Sequence, residues 1–409
     1  MTHIAPFRAL RPAAGMESQV ASRPYDVLNS VEARADASGN PHSFLRVTKS
    51  EIDLPDNVHP YSQLVYAKAK ENLVNLEKSG ILIREIAPCY YIYRLEMDGR
   101  TQTGLVCVSS VEDYNQGIIK KHEFTRPEKE QDRITHIATT GAQTGNVFLA
   151  YRNESSIDGV IDKWIGEHAP LYDFTADDRV KHTIWVIDDA DVVKNITQVF
   201  AHKVPCTYIA DGHHRAASAA KVKLSLGEDA GDNANFFLTT LFPASQLQIM
   251  DYNRAVRDLN GLNPDSLVSA IRSDFEVKES TVAVKPTGLH EFGMYLDGKW
   301  FLLTAKKGTY TNDPIGVLDV TILQNRLLHS ILGIGDPRTD QRIDFIGGIR
   351  GLKELEKKVD SGAMSVAFSL YPVSIQQLFD IADSGEVMPP KSTWFEPKLR
   401  DGLLTHLIN

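Results

Sequence analysis

Apolar residues along this chain follow two periods, and the switches between them mark out its elements. Residues 64, 65, 67, 69, 73 and 76 are apolar at close to helical spacing and Gly80 follows as a stop, so a helix is predicted over 61–79. Shorter apolar runs at 90–96 and 103–108 flank Met97-Asp98-Gly99-Arg100, whose Asp-Gly step signals a hairpin. Strands are also predicted at 147–151, 182–187, 206–210 and 235–241, with a helix over about 189–202. Strands separated by helices point to an α/β class of mixed (α+β) character. Toward the start, Pro6, Pro12 and Pro24 bias their predecessors away from helix, so residues 4–23 are expected to be extended. Asn29 and Ser30 are good N-caps, which puts Asp26 just ahead of a helix start.

Past residue 241 the pattern changes. Residues 260–310 read as a helix and a hairpin, 292–296 with 299–304, turning at Asp297-Gly298; 317–332 is helical again and 366–371 is a short apolar strand. At 409 residues the chain exceeds the roughly 250–300 at which a single core stops growing. The expected organisation is a core formed by 1–245 and 311–409, carrying insertions, with a smaller α+β lobe at 246–310.

Composition narrows the function classes. Hydrophobic residues make up 42% and charged residues 24%, an ordinary globular balance. A net charge of −9 and a pI near 5.8 argue against a nucleic-acid partner, which needs clustered Lys and Arg. The three cysteines, Cys89, Cys107 and Cys206, fit neither a zinc ribbon nor a disulfide framework and are expected to be reduced and mostly buried. The start lacks the apolar run of a secretory signal, and nowhere do ~18 uncharged apolar residues follow one another, so no membrane partner and a cytoplasmic location are expected. A homodimer is compatible with all of this.

The densest chemistry lies at Tyr208-Ile209-Ala210-Asp211-Gly212-His213-His214-Arg215, where an apolar strand passes through one glycine into an alanine-rich helix. N–H groups at a helix N-terminus point toward an anion, Gly212 permits close approach, and Arg215, expected to face solvent or ligand, can pair bidentate with phosphate. Asp211 can orient a histidine, hold Mg2+ or assist a hydroxyl's deprotonation. The plainer alternative is that Asp211 caps the helix and the histidines fill space. Adjacent histidines diverge by ~100° on a helix, which disfavours zinc, and no metal-ligand set is assigned.

A second cluster runs from Lys120 to Arg133. Its Glu128–Asp132 and Lys129–Arg133 pairs suit a solvated helix face, whereas His122, Glu123, Thr125 and Arg126 precede Pro127, a good first helical residue, and so fall in the loop and cap where ligands bind. A third runs from Met388 to Lys398, where Lys391, Ser392 and Thr393 can bind phosphate or belong to a pinned C-terminal strand; the glycines of a P-loop are missing. Gly347-Gly348-Ile349-Arg350-Gly351 is a strand-to-helix turn but not GxGxxG.

Ile4-Ala5-Pro6-Phe7, Pro24-Tyr25-Asp26-Val27, Lys121-His122-Glu123-Phe124-Thr125-Arg126, Asp211-Gly212-His213-His214-Arg215 and Pro390-Lys391-Ser392-Thr393 together resemble a widespread family of uncharacterised conserved proteins, over nearly the whole chain. The Asp-Gly-His-His-Arg element resembles the phosphate-binding loop of the ParB and sulfiredoxin superfamily, which includes free serine kinases. That resemblance implies a ParB/sulfiredoxin-like core with additional α+β lobes, and a nucleotide-dependent phosphotransferase making O-phosphoserine from L-serine or a similar hydroxy-amino acid, with ATP or ADP and Mg2+. It also implies that Gly212, His213, His214 and Arg215 contact nucleotide phosphates and that Asp211 and His214 work beside the transferred group. Asp26 is then the candidate base, an Asp where those kinases carry Glu. His122, Glu123, Thr125 and Arg126 would meet the substrate, and Lys391, Ser392 and Thr393 the phosphates. Competing readings are a nucleotide-responsive binding protein of ParB type and a phosphatase or nucleotide hydrolase.

Overall fold

Local signals set the hairpins. Asp98 and Gly99 both take positive φ, 51° and 76°, and Asp297 and Gly298 repeat this at 49° and 74°, the pairing that two-residue hairpin turns require. In the computed structural model, which describes residues 1–227 and 231–409, these turns join Tyr90–Met97 to Arg100–Ser110 and Glu291–Leu296 to Lys299–Ala305. The chain divides into two units, Met1–Leu247 with Pro397–Asn409, and Gln248–Glu396.

The first unit is built on a nine-stranded sheet in the order Ile119–Lys120, Thr207–Asp211, Val147–Tyr151, Phe236–Pro243, Arg100–Ser110, Tyr90–Met97, Lys181–Ile187, Tyr172–Thr175, with Ile4–Ala5 added beside Arg100–Ser110. Among the described residues two pairs are parallel, Phe236–Pro243 with Val147–Tyr151 and Thr207–Asp211 with Ile119–Lys120; the others are antiparallel. The class is therefore mixed α/β. Tyr90, Leu105, Leu149, Ile209 and Leu241 pack in one core with Trp164 of helix Ser155–Glu167, Phe200 of helix Ala190–Lys203, and Ala216 and Ala219 of helix His213–Leu226.

Three further elements carry site residues. Asn29 caps helix Ser30–Asp36 through a reciprocal capping box with Glu32. Helix Gln63–Lys78 packs on Pro127–Thr140, which packs on His213–Leu226. Pro127 is at the helix start and Gly141 closes it at φ 69°.

The second unit holds a six-stranded antiparallel sheet in the order Phe275–Ser280, Lys299–Ala305, Glu291–Leu296, Val366–Leu370, Tyr252–Val256, Ile343–Gly347. The smaller lobe therefore does not end at 310. Strands from both sides of that boundary complete one sheet, because an antiparallel edge left unpaired exposes its backbone groups, and the unit runs on to Glu396. Two other expectations change. Residues 4–23 hold strands Ile4–Ala5 and Leu10–Pro12 and a short helix, Glu17–Val20, and 317–332 splits into α-helix Asp319–Leu323 and the π-helical turns Gln324–His329.

Cys89 and Cys107 are buried, Cys206 is half-buried, and all three are free. Among the described residues no helix is long and apolar enough to cross a membrane.

Candidate active site

Strand Thr207–Asp211 loses its register against Val147–Tyr151 between Ile209 and Asp211. The irregularity lets the chain leave the sheet at Asp211, and Gly212 completes the turn at φ +97°, where a Cβ would sit 3.3 Å from the Val147 Cα. Helix His213–Leu226 then begins with no side-chain cap, so the N–H groups of its first turn have no intrahelical partner.

Arg215 is buried, 8% exposed, rather than facing solvent. Its Nη2 donates to the Asp26 Oδ2 at 3.1 Å and stands 4.0 Å from the Asp211 Oδ1, while Nη1 donates to the Asn146 carbonyl oxygen. Burial disfavours its charge, but Asp26 and then Asp211 outweigh that and hold the guanidinium ionised. The reason for the inward turn is this set of acceptors, which a solvent-facing arginine would leave uncompensated.

Lys398 donates to the other Asp211 oxygen, Oδ2, at 3.1 Å. Burial pushes the Asp211 carboxyl up, yet Lys398 and then Arg215 hold it well below the usual carboxylate range. A third carboxylate, Asp401, is buried nearby, and among the described residues its Oδ2 has no hydrogen-bond partner. Burial, opposed by Arg215 and reinforced by Asp26, pushes it up to about 7.

The loop before Pro127 docks onto the same helix start. The His213 Nε2 accepts from the His122 N–H at 3.4 Å and the His214 Nε2 accepts from the Arg126 N–H at 2.9 Å. Each acceptor nitrogen is therefore unprotonated, which places the proton of the neutral ring on Nδ1. Burial lowers the pKa of both rings. His122 is itself buried, edge-on to the His213 ring at 4.5 Å. Burial lowers it to about 4. Thr125 Oγ1 donates to the Glu130 Oε2 at 2.7 Å, Glu123 is half-buried and Arg126 is exposed.

The charged run after Pro127 is solvated on one side only: Glu128, Lys129 and Gln131 are exposed, whereas Glu130, Asp132, Arg133 and His136 are buried. Tyr66 donates through its hydroxyl to the Asp132 Oδ1 at 2.9 Å, and the Arg133 guanidinium lies over the Tyr25 ring at 4.0 Å. Packing between helix Gln63–Lys78 on one side and His213–Leu226 on the other removed these buried residues from water. Tyr25, Asp26, Tyr66, Asp132 and Arg133 line a cleft of about 470 Å³.

Lys391, Ser392 and Thr393 belong to the second unit. There the Lys391 carbonyl accepts from the Arg254 Nη2 at 3.0 Å and the Ser392 hydroxyl donates to the Pro389 carbonyl at 2.6 Å, which pins the turn before strand Trp394–Phe395. Lys398, which closes the same sequence cluster, is the lysine bonded to Asp211. Asn146, Arg133 and Asp401 were also not anticipated; Asp401 carries no sequence signal, because an isolated Arg-Asp-Gly near a terminus resembles any turn.

One arginine thus joins two carboxylates at an uncapped helix N-terminus, where an anion can bind beside a base. Among the described residues no group of three or more His, Cys, Asp or Glu side chains could hold a metal ion.

A family model described as "Protein of unknown function (DUF1015)" matches residues 4–321, and the chain belongs to that family. No curated protein matches it. Among solved structures it is similar to a free serine kinase in complex with AMP, at 13% identity and a TM-score of 0.37 over 74% of this chain and 91% of that one. It is also similar to a conserved hypothetical protein from Pyrococcus furiosus, at 14% identity and a TM-score of 0.36 over 74% and 94% of the two chains. C-terminally truncated SbnI from Staphylococcus aureus follows at 12% identity and a TM-score of 0.34 over 74% and 87%. Likenesses of this size are distant and support no assignment by themselves.

Proposed function

We propose that this chain is a cytoplasmic, nucleotide-dependent phosphotransferase with a ParB/sulfiredoxin-like core, which moves a phosphoryl group from ATP or ADP to the hydroxyl of free L-serine or a similar small hydroxy-amino acid. The observation that carries the reading is the Arg215 guanidinium, bonded to Asp26 at 3.1 Å and standing 4.0 Å from Asp211, at a helix N-terminus with no cap.

In this reading the phosphates rest on the N–H groups of Gly212, His213 and His214, with the His214 Nδ1–H as a further donor. Lys398 can share its charge between Asp211 and a phosphate oxygen. Asp26, at the edge of the cleft and oriented by Arg215, takes the proton of the acceptor hydroxyl as its oxygen bonds to phosphorus. The bond between that phosphorus and the nucleotide oxygen breaks, giving O-phosphoserine and the shortened nucleotide. Mg2+ needs only one or two carboxylates besides phosphates and water; Asp211 would supply one by giving up its bond to Lys398, and the ion would neutralise phosphate charge. The His122, Glu123, Thr125 and Arg126 loop, held by His213 and His214, covers the transferred group.

Incubating the protein with L-serine, Mg2+ and ATP or ADP tests this, with O-phosphoserine read by 31P NMR. Absence of product with either nucleotide and any small hydroxy-amino acid overturns the reading. Phosphate release without an acceptor would make it a hydrolase, and a DNA mobility shift at physiological salt a ParB-type binding protein.

A further inference from the structure

The cleft bordered by Asp26 contains an ion pair that the phosphate loop does not explain. Lys49 Nζ stands 3.0 Å from the Glu51 Oε1, and the two side chains are only 15% and 10% exposed. Glu51 also accepts from the Ser30 hydroxyl at 2.9 Å. Lys49, Glu51 and Ser30 line the same cleft as Asp26, with Tyr25 and Tyr66 as aromatic walls. Its volume of about 470 Å³ falls within the ~300–1,000 Å³ of small-molecule pockets.

As a stabilising device such a pair is poor. Both charges lose most of their hydration, and the attraction between them repays this incompletely. As a receptor for a molecule carrying one charge of each sign it is well suited. A ligand carboxylate replaces Glu51 against Lys49, a ligand ammonium replaces Lys49 against Glu51, and no charge is left unmatched. The pair is also tied to the candidate base. Ser30 is the first residue of helix Ser30–Asp36, whose Asn29–Glu32 capping box fixes the short connection back to Asp26. Glu51 is therefore held at a position set relative to Asp26.

We infer that this cleft is the zwitterion site of the acceptor, with Lys49 binding the α-carboxylate and Glu51 the α-ammonium of a hydroxy-amino acid. The identity of the ligand rests on the phosphotransferase reading, whereas the charge pattern of the site does not.

The test is titration calorimetry on the full chain with L-serine and two probes lacking one charge each, ethanolamine and 3-hydroxypropanoate, with ADP binding followed in parallel. The wild type should bind L-serine at least tenfold more tightly than either probe, since each probe leaves one buried partner unmatched. Lys49→Met should abolish the preference over ethanolamine and Glu51→Gln the preference over 3-hydroxypropanoate, each weakening serine roughly tenfold at unchanged ADP affinity. Should either variant fail to fold, Lys49→Arg and Glu51→Asp, which keep the charge but move it, must weaken serine severalfold. Unchanged serine affinity in folded variants overturns the site, as does a wild type that binds none. Serine binding without phosphoserine formation would remove the kinase and leave the site; phosphoserine formation at an unchanged KM in both variants would remove the site and leave the kinase.

Discussion

Asp26 and Arg215 are 189 positions apart in sequence and share a hydrogen bond of 3.1 Å. Because Arg215 also donates to the Asn146 carbonyl and is buried, Arg215→Ala should do more than weaken ligand binding. It leaves Asp211 and Asp401 without their shared cation and should cost about 2–4 kcal/mol of stability. Denaturant unfolding measures this; an unchanged midpoint would mean that the guanidinium is not structural.

Asp26 itself should behave differently. Its side chain is 37% exposed, yet it is the first partner of a buried guanidinium, so Asp26→Asn should cost about 1–3 kcal/mol of stability while lowering kcat by ~10²–10⁴ if it is the base. Initial rates set beside thermal melts decide it: rate and Tm falling in proportion would make Asp26 an anchor for Arg215 only.

Lys398 is expected to act on nucleotide affinity. Lys398→Met should weaken ATP or ADP binding by roughly ten- to a hundredfold, the worth of one charge-assisted contact of about 1.5–3 kcal/mol. It should also raise the Asp211 pKa, since Lys398 is the largest influence holding it down. Calorimetric titration reports the first, and NMR titration of the Asp211 carboxyl at acid pH the second.

Stability should fall as acid is added, starting above the carboxylate range. Burial lowers His122 and His136 to about 4 from an unfolded value of 6.5, against the pull of Asp211 on the former and with the help of Arg133 on the latter. Between these values the unfolded chain holds more protons than the native one. The contribution is therefore complete above pH 6.5 and lost as pH falls toward 4, on the order of 2–3 kcal/mol for each ring. His122→Asn should flatten part of that slope in Tm against pH.

Asp401 works in the opposite direction. Its folded value of about 7 lies above the unfolded 3.8, so the native state holds the extra proton in that window and stability is lost as pH rises through it. Asp401→Asn should stabilise the protein by about 1–3 kcal/mol at pH 8 and make little difference at pH 4. Equal effects at both would mean that the carboxyl is not protonated in the native state.

What the sequence determined by itself was local. The Asp98-Gly99 and Asp297-Gly298 hairpins, the Asn29 cap, Pro127 at a helix start and the Gly212 turn each depend on the φ of one or two residues or on a hydrogen bond to the next turn, and such preferences are decided within a few residues. The polar clusters of the phosphate loop and the 122–126 loop were visible for the same reason, being dense in one stretch of chain. Tertiary structure alone decided which strands pair, and so where the second unit ends, because antiparallel partners such as Tyr252–Val256 and Ile343–Gly347 can come from any distance along the chain. It likewise turned Asp132 and Arg133 away from water, chose Lys398 as the partner of Asp211, and gathered Asp26 and Asp401 about Arg215. Burial and Coulomb interaction depend on distance through space, and no pattern in the chain records that distance until the sheet has closed.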